Sequence, residues 1–372
     1  MLIGVPKEVK PQEYRVGLTP TGVRELRHHG HEIVVQSRAG EGVGLSDDHY
    51  RGAGAEIVEG PEEIFARADM IVKVKEPQAA ERKMLRPDQV LFTYLHLAPD
   101  ADQARDLVAS GAVCIAYETV TGARGGLPLL APMSQVAGRM SIQAGAHCLE
   151  KRQGGMGLLL GGVPGVAPAR VVIIGGGMVG QHAAVMAAGA GADVVILEKS
   201  PETMQAIDNR FGARVKTLYS SRGSIEDEVT AADLVIGAVL VPGAAAPKLI
   251  SRELVEQMKK GSVIVDVAID QGGCAETSHP TTHADPTYQV DGVVHYCVAN
   301  MPGGVARTST FALTNATLPF VVALADKGVR RALEDDPHLR DGLNVYHGHV
   351  TCKPVADALN YDYVEPLLAM AA

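Results

Sequence analysis

The chain has 372 residues, of which 46% are hydrophobic and 21% charged, a composition typical of a globular protein long enough for two domains. Its net charge of −9 argues against binding to nucleic acid or to an anionic membrane surface. Five widely spaced cysteines without a CxxC pair are expected to be buried thiols, so neither a disulfide framework nor a metal site is predicted.

The N-terminal sequence enters a strand directly, without the basic region and apolar stretch of a signal peptide. No uninterrupted apolar run reaches the roughly 18–20 residues that a membrane helix needs. We therefore expect a cytoplasmic protein that does not bind a membrane.

The first part of the chain, to about residue 128, alternates strand and helix patterns, which predicts βα units around a parallel sheet. The predicted strands are Leu2–Val5, Glu32–Gln36, Met70–Val74, Val90–Thr93 and Val113–Ala116. A helical pattern then spans Met133–Arg152, and a glycine-dense stretch, Gly154–Gly165, follows as a loop or a lid.

A second α/β unit begins at Arg170, and its six strands with intervening helices are typical of a full dinucleotide-binding domain. The predicted strands are Val171–Ile174, Val194–Glu198, Val215–Tyr219, Leu234–Ala238, Val263–Val267 and Val294–Val298. After them, Thr308–Ala325 reads as an apolar helix, and the tail shows no further strand alternation.

The tail is expected to pack back on the first part of the chain. The predicted architecture is therefore α/β with two domains, in which a doubly wound Rossmann domain (129–307, with a connecting helix) is inserted into a discontinuous α/β substrate domain (1–128 and 308–372).

A glycine turn between a strand and a helix is the most specific motif in the sequence. Val171–Ile174 leads into Gly175, which makes a tight turn, and Gly177 would let the backbone approach a pyrophosphate. Gly180 would let the helix pack on the strand, and the helix N-terminus offers free N–H groups to phosphates. Glu198 ends the next strand, where a carboxylate can accept both ribose hydroxyls. This acid favours NAD over NADP.

Four polar residues follow the ends of other predicted strands, where an open α/β sheet places its active site. Arg15 could pair with a substrate carboxylate, Lys75 (on the same face as Lys73 by strand alternation) could meet an anion, and His96 could transfer a proton. Asp270 lies beyond the fifth strand of the nucleotide domain. Singly, each also fits a structural role, such as a solvated arginine, an edge-strand lysine or a hydrogen-bonded core histidine.

In these and other segments the chain resembles the family of alanine dehydrogenases and the NAD-binding subunit of proton-translocating transhydrogenase. The matches run in order over nearly the whole length. The matching segments are Gly4–Glu8, Glu13–Val16, Lys73–Pro77, Leu95–Ala98, Tyr117–Thr119, Leu129–Ser134, Gly161–Val166, Gly175–Gly180, Gly237–Gly243, Asp266–Gly273 and Val298–Pro302.

The resemblance implies the roles of the substrate residues. Arg15 would bind the substrate carboxylate, and Lys75 would contact the carboxylate or carbonyl oxygen. His96 would be the general acid/base, with Asp270 assisting water and proton handling, and Met133 would bound a small methyl pocket. The implied enzyme is typically a homohexamer.

The resemblance also implies an NAD site. Besides Gly175, Gly180 and Asp270, its residues would be Ser134, Gly177, Met178, Val179, Glu198, Ser220, Val239, Leu240, Ile269, Asn300 and Met301. Family members often carry a basic residue where this chain has Thr203, an arginine at His279 and an aspartate at Glu198. These departures predict a cofactor contact that differs in detail while NAD binding is kept.

The implied reaction is the reversible oxidative deamination of L-alanine by NAD and water to pyruvate, ammonium and NADH. The competing hypotheses are an NAD-binding transhydrogenase component that processes no amino acid, a dehydrogenase for another amino acid (saccharopine-type, glycine or serine), and a catalytically silent NAD sensor. Lys75 and His96 together favour a substrate site over the first of these.

Overall fold

The computed structural model describes residues 1–239 and 246–371. The strands within these residues are β1 (Leu2–Val5), β2 (Glu32–Gln36), β3 (Glu56–Val58), β4 (Met70–Val72), β5 (Val90–Thr93), β6 (Val113–Ala116), β7 (Arg170–Ile174), β8 (Asp193–Glu198), β9 (Val215–Tyr219), β10 (Leu234–Gly237), β11 (Val263–Asp266), β12 (Thr287–Val290), β13 (Val293–Tyr296), β14 (Leu343–Tyr346) and β15 (His349–Val350).

The α-helices are α1 (Pro20–His28), α2 (Asp47–Ala53), α3 (Pro61–Arg67), α4 (Ala79–Arg82), α5 (Ala101–Ser110), α6 (Ala131–Cys148), α7 (Met178–Gly189), α8 (Pro201–Phe211), α9 (Arg222–Ala231), α10 (Arg252–Gln257), α11 (Ala306–Lys327), α12 (Val329–Asp335), α13 (Pro337–Arg340), α14 (Lys353–Leu359) and α15 (Pro366–Ala371). Several short 3-10 helices also occur, including Val267–Gln271 directly after β11.

The chain divides into two compact units. The first consists of Met1–Met133 with the segment from Ala306 onwards, and the second of Ser134–Val305. The division falls within α6 and directly before α11, whereas the sequence predicts limits after residues 128 and 307.

The first unit contains an eight-stranded sheet in the order β15-β14-β6-β5-β4-β1-β2-β3. The six N-terminal strands are all parallel, which confirms the predicted parallel sheet, although the sequence predicts only five of them and misses β3. The prediction of a tail without strands is wrong, because β14 pairs antiparallel with β6 and with β15. These strands are short, and their pairing with a distant segment leaves little local signal.

The second unit contains a seven-stranded sheet in the order β12-β13-β11-β10-β7-β8-β9. Six parallel strands follow the 3-2-1-4-5-6 order of a doubly wound dinucleotide-binding domain, which confirms the predicted fold. The sequence did not indicate β12, an antiparallel edge strand that pairs with β13.

Side chains on both faces of this second sheet are buried. Val171 and Ile173 of β7 belong to one apolar cluster, and Val172 and Ile174 to another. Because successive strand residues face opposite sides, helices cover both faces, and β7 has the continuous β-branched sequence that such burial requires.

One helical segment, Met301–Lys327, is long and apolar enough by length and composition to cross a membrane, although polar residues interrupt its apolar run. Core helices of soluble proteins pass the same test. Several of its polar side chains are buried within the fold, including Ser309, Thr310, Thr314 and Thr317.

The glycine turn after β7 depends on close packing of α7. A Cβ at Gly180 would lie 1.9 Å from the carbonyl oxygen of Gly175, and a backbone atom of a central strand turn cannot move aside cheaply. Gly189 lies in the same helix, and a Cβ there would meet no atom within 4 Å.

We predict that Gly180→Ala destabilises the protein by about 3 kcal/mol or more, because overpacking against backbone cannot be relieved by a rotamer change. Gly189→Ala is the matched control and should be neutral or stabilising by up to about 1 kcal/mol, since alanine is the better helix former. Urea unfolding of both variants checks this. A Gly180→Ala protein as stable as the control would contradict the packing described.

Candidate active site

Arg15 lies in the loop after β1, and its side chain is almost wholly buried, at 2% exposure. Glu13 accepts two parallel hydrogen bonds from it, Nε to Oε1 and Nη2 to Oε2, both at 2.6 Å. The Nη1 group donates to the sulfur of Met133 at 3.1 Å. A paired carboxylate is required to bury a guanidinium, and this one fixes the plane of Arg15.

Lys75 follows β4, which ends at Val72, so regular strand alternation does not reach the lysines of this segment. The side chain of Lys73 is fully buried between Glu8 and Glu81, whereas Lys75 is half-buried. Burial lowers the pKa of Lys75, and the nearby charge of Arg15 lowers it further. The two lysines therefore have different surroundings, and Lys75 is a cation close to a second cation.

His96 follows β5 with a left-handed backbone conformation, φ +49°, which is uncommon for a residue other than glycine. Glu118 accepts the backbone N–H groups of both Leu95 and His96, and its Oε1 lies 3.7 Å from His96 Nδ1. The imidazole stacks on Tyr94 with ring centroids 5.7 Å apart and remains 47% exposed. An accessible imidazole, oriented by a stacked ring and carried on an uncommon backbone conformation, is suited to proton transfer.

The first unit thus brings together four of its predicted residues, namely Arg15, Lys75, His96 and Met133. Arg15 contacts Met133, and its charge acts on Lys75 and on Tyr94, which stacks on His96. Two cations beside an oriented imidazole can bind a small carboxylate and exchange a proton with it.

A cavity of about 320 Å³ is lined in part by Arg15. Its lining includes charges of both signs, such as Lys10, Arg38 and Glu41. Two of these, Arg38 and Glu41, pair with each other at 2.8 Å. Lys75, His96 and Met133 are not among its lining residues, so this cavity does not represent the predicted substrate site.

The glycine turn of the second unit fits a dinucleotide. Gly175 has φ +105°. Gly177 is the N-cap of α7, and a Cβ at Gly177 would meet no atom within 4 Å. This leaves space for a pyrophosphate at the helix N-terminus. The Glu198 carboxylate accepts the N–H of Gly176 at 2.7 Å, so the acid lies directly beside the turn, where a ribose is expected.

Other predicted cofactor residues lie around the same turn. Ser220 is buried after β9 and its N–H donates to the Glu198 carbonyl, and Val239 follows β10 with its backbone N 3.2 Å from the Cβ position of Gly175. Met178 begins α7 and is 45% exposed, while Val179 is half-buried. Leu240 lies outside the described residues.

The remaining predictions are distributed over other parts of the second unit. Ser134 is half-buried in α6, Ile269 is buried in the 3-10 turn after β11, and Met301 is buried. Asn300 has φ +62°, and its carbonyl accepts a hydrogen bond from the ring of His283. Asp270 is exposed on the same 3-10 turn as Ile269.

Thr203 and His279, the two departures from the family pattern, differ in their surroundings. The methyl carbon of Thr203 lies 3.2 Å from the Cβ position of Gly176, so this side chain adjoins the glycine turn. His279 is exposed, and its ring packs on Tyr288 with a centroid distance of 3.7 Å.

The sequence predicts no role for the carboxylates that pair with Arg15 and Lys73 or that bind the backbone of His96. Glu8, Glu13 and Glu118 all lie in matching segments, and Glu81 does not. Their signal is weak, because a glutamate near a lysine or an arginine in sequence is usually an exposed pair. The burial of both partners identifies Glu8, Glu13 and Glu81. Glu118 is identified by the backbone N–H groups that it accepts.

Two family models cover most of the chain. The N-terminal domain of alanine dehydrogenase/PNT matches residues 4–137, and the C-terminal domain of the same family matches residues 141–353. The chain is 62% identical over 365 residues to an alanine dehydrogenase of Halomonas elongata, with 98% of each chain covered.

Solved structures agree with this assignment. A structure described as L-alanine dehydrogenase is 53% identical, covers 97% of this chain and 99% of its own, and superposes with a TM-score of 0.94. A transhydrogenase from Sinorhizobium meliloti is 22% identical over 94% of this chain and 98% of its own, with a TM-score of 0.81, and shows the shared fold alone. The chain therefore belongs to the alanine dehydrogenase/PNT family.

Proposed function

We propose that the protein catalyses the reversible oxidative deamination of L-alanine: L-alanine, NAD⁺ and water give pyruvate, ammonium, NADH and a proton. The observation that carries this proposal is the 62% identity to an alanine dehydrogenase over 98% of both chains. The geometry of the first unit supports it independently, because buried Arg15 and half-buried Lys75 suit a small carboxylic acid.

Arg15 and Lys75 bind the substrate carboxylate in this mechanism. Glu13 uses one edge of the guanidinium, through Nε and Nη2, and thereby fixes the direction in which Nη1 points. Met133, in contact with Nη1, bounds the space beside the carboxylate and favours a methyl side chain. Fixing the substrate in this way orients its Cα–H bond, which converts a bimolecular encounter into an oriented one.

His96 transfers the protons of the hydration and ammonia-release steps. The substrate amine must be neutral before hydride loss, so oxidation is favoured at alkaline pH. When the imine at Cα is hydrated, the imidazole takes the proton of water, and it returns a proton to nitrogen as ammonia leaves. Glu118 holds the backbone of His96 in its left-handed conformation. Asp270 is proposed, from the family resemblance, to assist these proton transfers.

The family and the doubly wound domain imply a nicotinamide cofactor, which accepts the hydride when bound. We propose NAD as that cofactor, because the Glu198 carboxylate lies beside the glycine turn, where a 2′-phosphate would meet a negative charge. The departures at Thr203 and His279 leave this acid in place. The family resemblance also supports a cytoplasmic homohexamer.

The competing functions have less support. The likeness to a transhydrogenase is at 22% identity and concerns the fold. A dehydrogenase for another amino acid would differ from an alanine dehydrogenase in the size of its substrate pocket. One methylene group of the substrate changes the binding free energy by only about 1–3 kcal/mol. Both alternatives are decided by the substrate controls of the assay below.

We expect purified protein to reduce NAD⁺ with L-alanine, and to oxidise NADH with pyruvate and ammonium, as followed by NADH absorbance. His96→Ala should lower kcat by about 10²–10⁴-fold, the contribution typical of a general acid/base, and should leave the NADH Kd within about twofold. His28→Ala, at an exposed histidine, is the matched control and should not change kcat.

D-alanine, glycine, L-serine, L-lysine and NADP serve as substrate and cofactor controls in this assay. Clear NADH binding without turnover of alanine or pyruvate would favour the transhydrogenase-like or sensor function. Full turnover by His96→Ala would show that the proton is transferred by another group.

We predict that Lys75 titrates below the ordinary lysine range, so that carboxylate binding is lost as the pH rises through this lowered pKa. NMR of ¹³C-dimethylated protein, with Lys75→Gln to assign the signal, measures this pKa. Arg15→Met should raise it, because a neighbouring positive charge is removed, whereas Arg15→Lys should not. An unchanged pKa in Arg15→Met would contradict the proximity of the two cations.

A further inference from the structure

The segment Gly4–Glu8 matches the family, yet the proposed mechanism uses none of its side chains. Its last residue, Glu8, has a side-chain exposure of 2%, and Lys73, with which it pairs, has 0%. The distance between Glu8 Oε2 and Lys73 Nζ is 3.3 Å. A fully buried lysine with paired carboxylates contributes little to the net free energy of folding in most proteins. Stability alone therefore does not explain this cluster.

Glu81 is the nearer partner of Lys73. Its Oε1 lies 2.7 Å from Nζ, and its Oε2 accepts the N–H of Gln78 at the start of α4. The cluster therefore contains two carboxylates and one ammonium group. Burial raises the pKa of Glu8, although Lys73 and a backbone N–H act in the opposite direction. Lys73 therefore pairs with both carboxylates, and Glu81 is the nearer of the two.

The other oxygen of Glu8 makes a different contact. Glu8 Oε1 accepts the backbone N–H of Val74 at 2.7 Å, and the N–H of Lys75 lies 3.4 Å away. These N–H groups lie beyond the end of β4, in a segment with no regular secondary structure. On the other side, the Thr93 hydroxyl donates to the carbonyl of Lys75 at 3.0 Å. A side chain from the loop after β1 and one from the end of β5 therefore fix the backbone from which Lys75 extends.

We propose that Glu8 is a positioning residue for substrate binding, whose carboxylate holds the backbone of Val74 and Lys75 so that the Lys75 ammonium meets the substrate carboxylate. This inference rests on the proposed function, since it takes Lys75 as a substrate-binding cation. Lys73 pairs with both carboxylates, and neither Lys73 nor Glu81 needs to touch the substrate.

The test compares Glu8→Ala, Glu8→Gln and Glu81→Gln. Glu8→Ala removes the acceptor of the Val74 N–H, whereas Glu8→Gln keeps an amide oxygen of the same reach. Glu81→Gln is the matched control, because it weakens the same buried ion pair without touching the backbone of residues 74–75. The measurements are the KM for pyruvate at saturating NADH and ammonium, the NADH Kd, and amide hydrogen exchange of the peptide that contains residues 74–75.

Glu8→Ala should raise the KM for pyruvate about five- to tenfold, the value of one hydrogen bond, and should speed exchange at residues 74–75 by a similar factor. Its NADH Kd should stay within about twofold of the wild-type value. Glu8→Gln and Glu81→Gln should keep both the KM and the exchange rate within about twofold. Should Glu8→Ala not fold, Glu8→Asp tests the same point, because it keeps the charge near Lys73 and withdraws the oxygen by one C–C bond.

An unchanged KM in a folded Glu8→Ala or Glu8→Asp protein would overturn the inference. An equal rise of KM in Glu81→Gln would overturn it as well, because the ion pair rather than the backbone contact would then matter. Failure of the proposed function looks different: the wild-type protein would not turn over pyruvate, whatever the exchange rate at residues 74–75.

Discussion

Charges that are buried must be paired, and this constraint organises the first unit. Arg15 and Lys73 have side-chain exposures of 2% and 0%, and neither could be placed there without an adjacent carboxylate. Glu13 satisfies the arginine, and Glu8 with Glu81 satisfies the lysine. These pairs connect the loop after β1, the end of β4 and the start of α4. Lys75 has no such carboxylate at hydrogen-bond distance in the described structure, and burial together with the charge of Arg15 lowers its pKa.

The second unit depends on a steric constraint instead. The oxygen of Gly175 lies so close to α7 that only glycine fits at position 180, whereas the space around Gly177 is open. Glu198 connects the next strand to this turn through the N–H of Gly176. The backbone of the glycine turn is therefore fixed by packing, and the Glu198 carboxylate is fixed beside it.

The sequence predicts those features that have a local signature. The glycine turn, the six parallel strands of the second sheet and the strands β1, β2, β4, β5 and β6 all follow from patterns within a few residues. Strand β3, with only three residues, does not. The antiparallel strands β12, β14 and β15 do not, because they are short and depend on partners elsewhere in the chain. In the site, strand ends and the family resemblance predict Arg15, Lys75 and His96. The different surroundings of Lys73 and Lys75 could not be predicted from the sequence. They depend on Glu8 and Glu81, which approach only when the sheet is formed.

The central claim is that Arg15 and Lys75 together bind the substrate carboxylate. Calorimetric titration of pyruvate into the NADH-bound protein tests it most directly, with the wild type, Arg15→Met, Lys75→Met and the double variant. Each single substitution should weaken pyruvate binding about 10–100-fold, as expected for a hydrogen bond to a charged group, and the double variant should lose less than the product of the two. Wild-type pyruvate affinity in either single variant, with NADH binding intact, would contradict the claim.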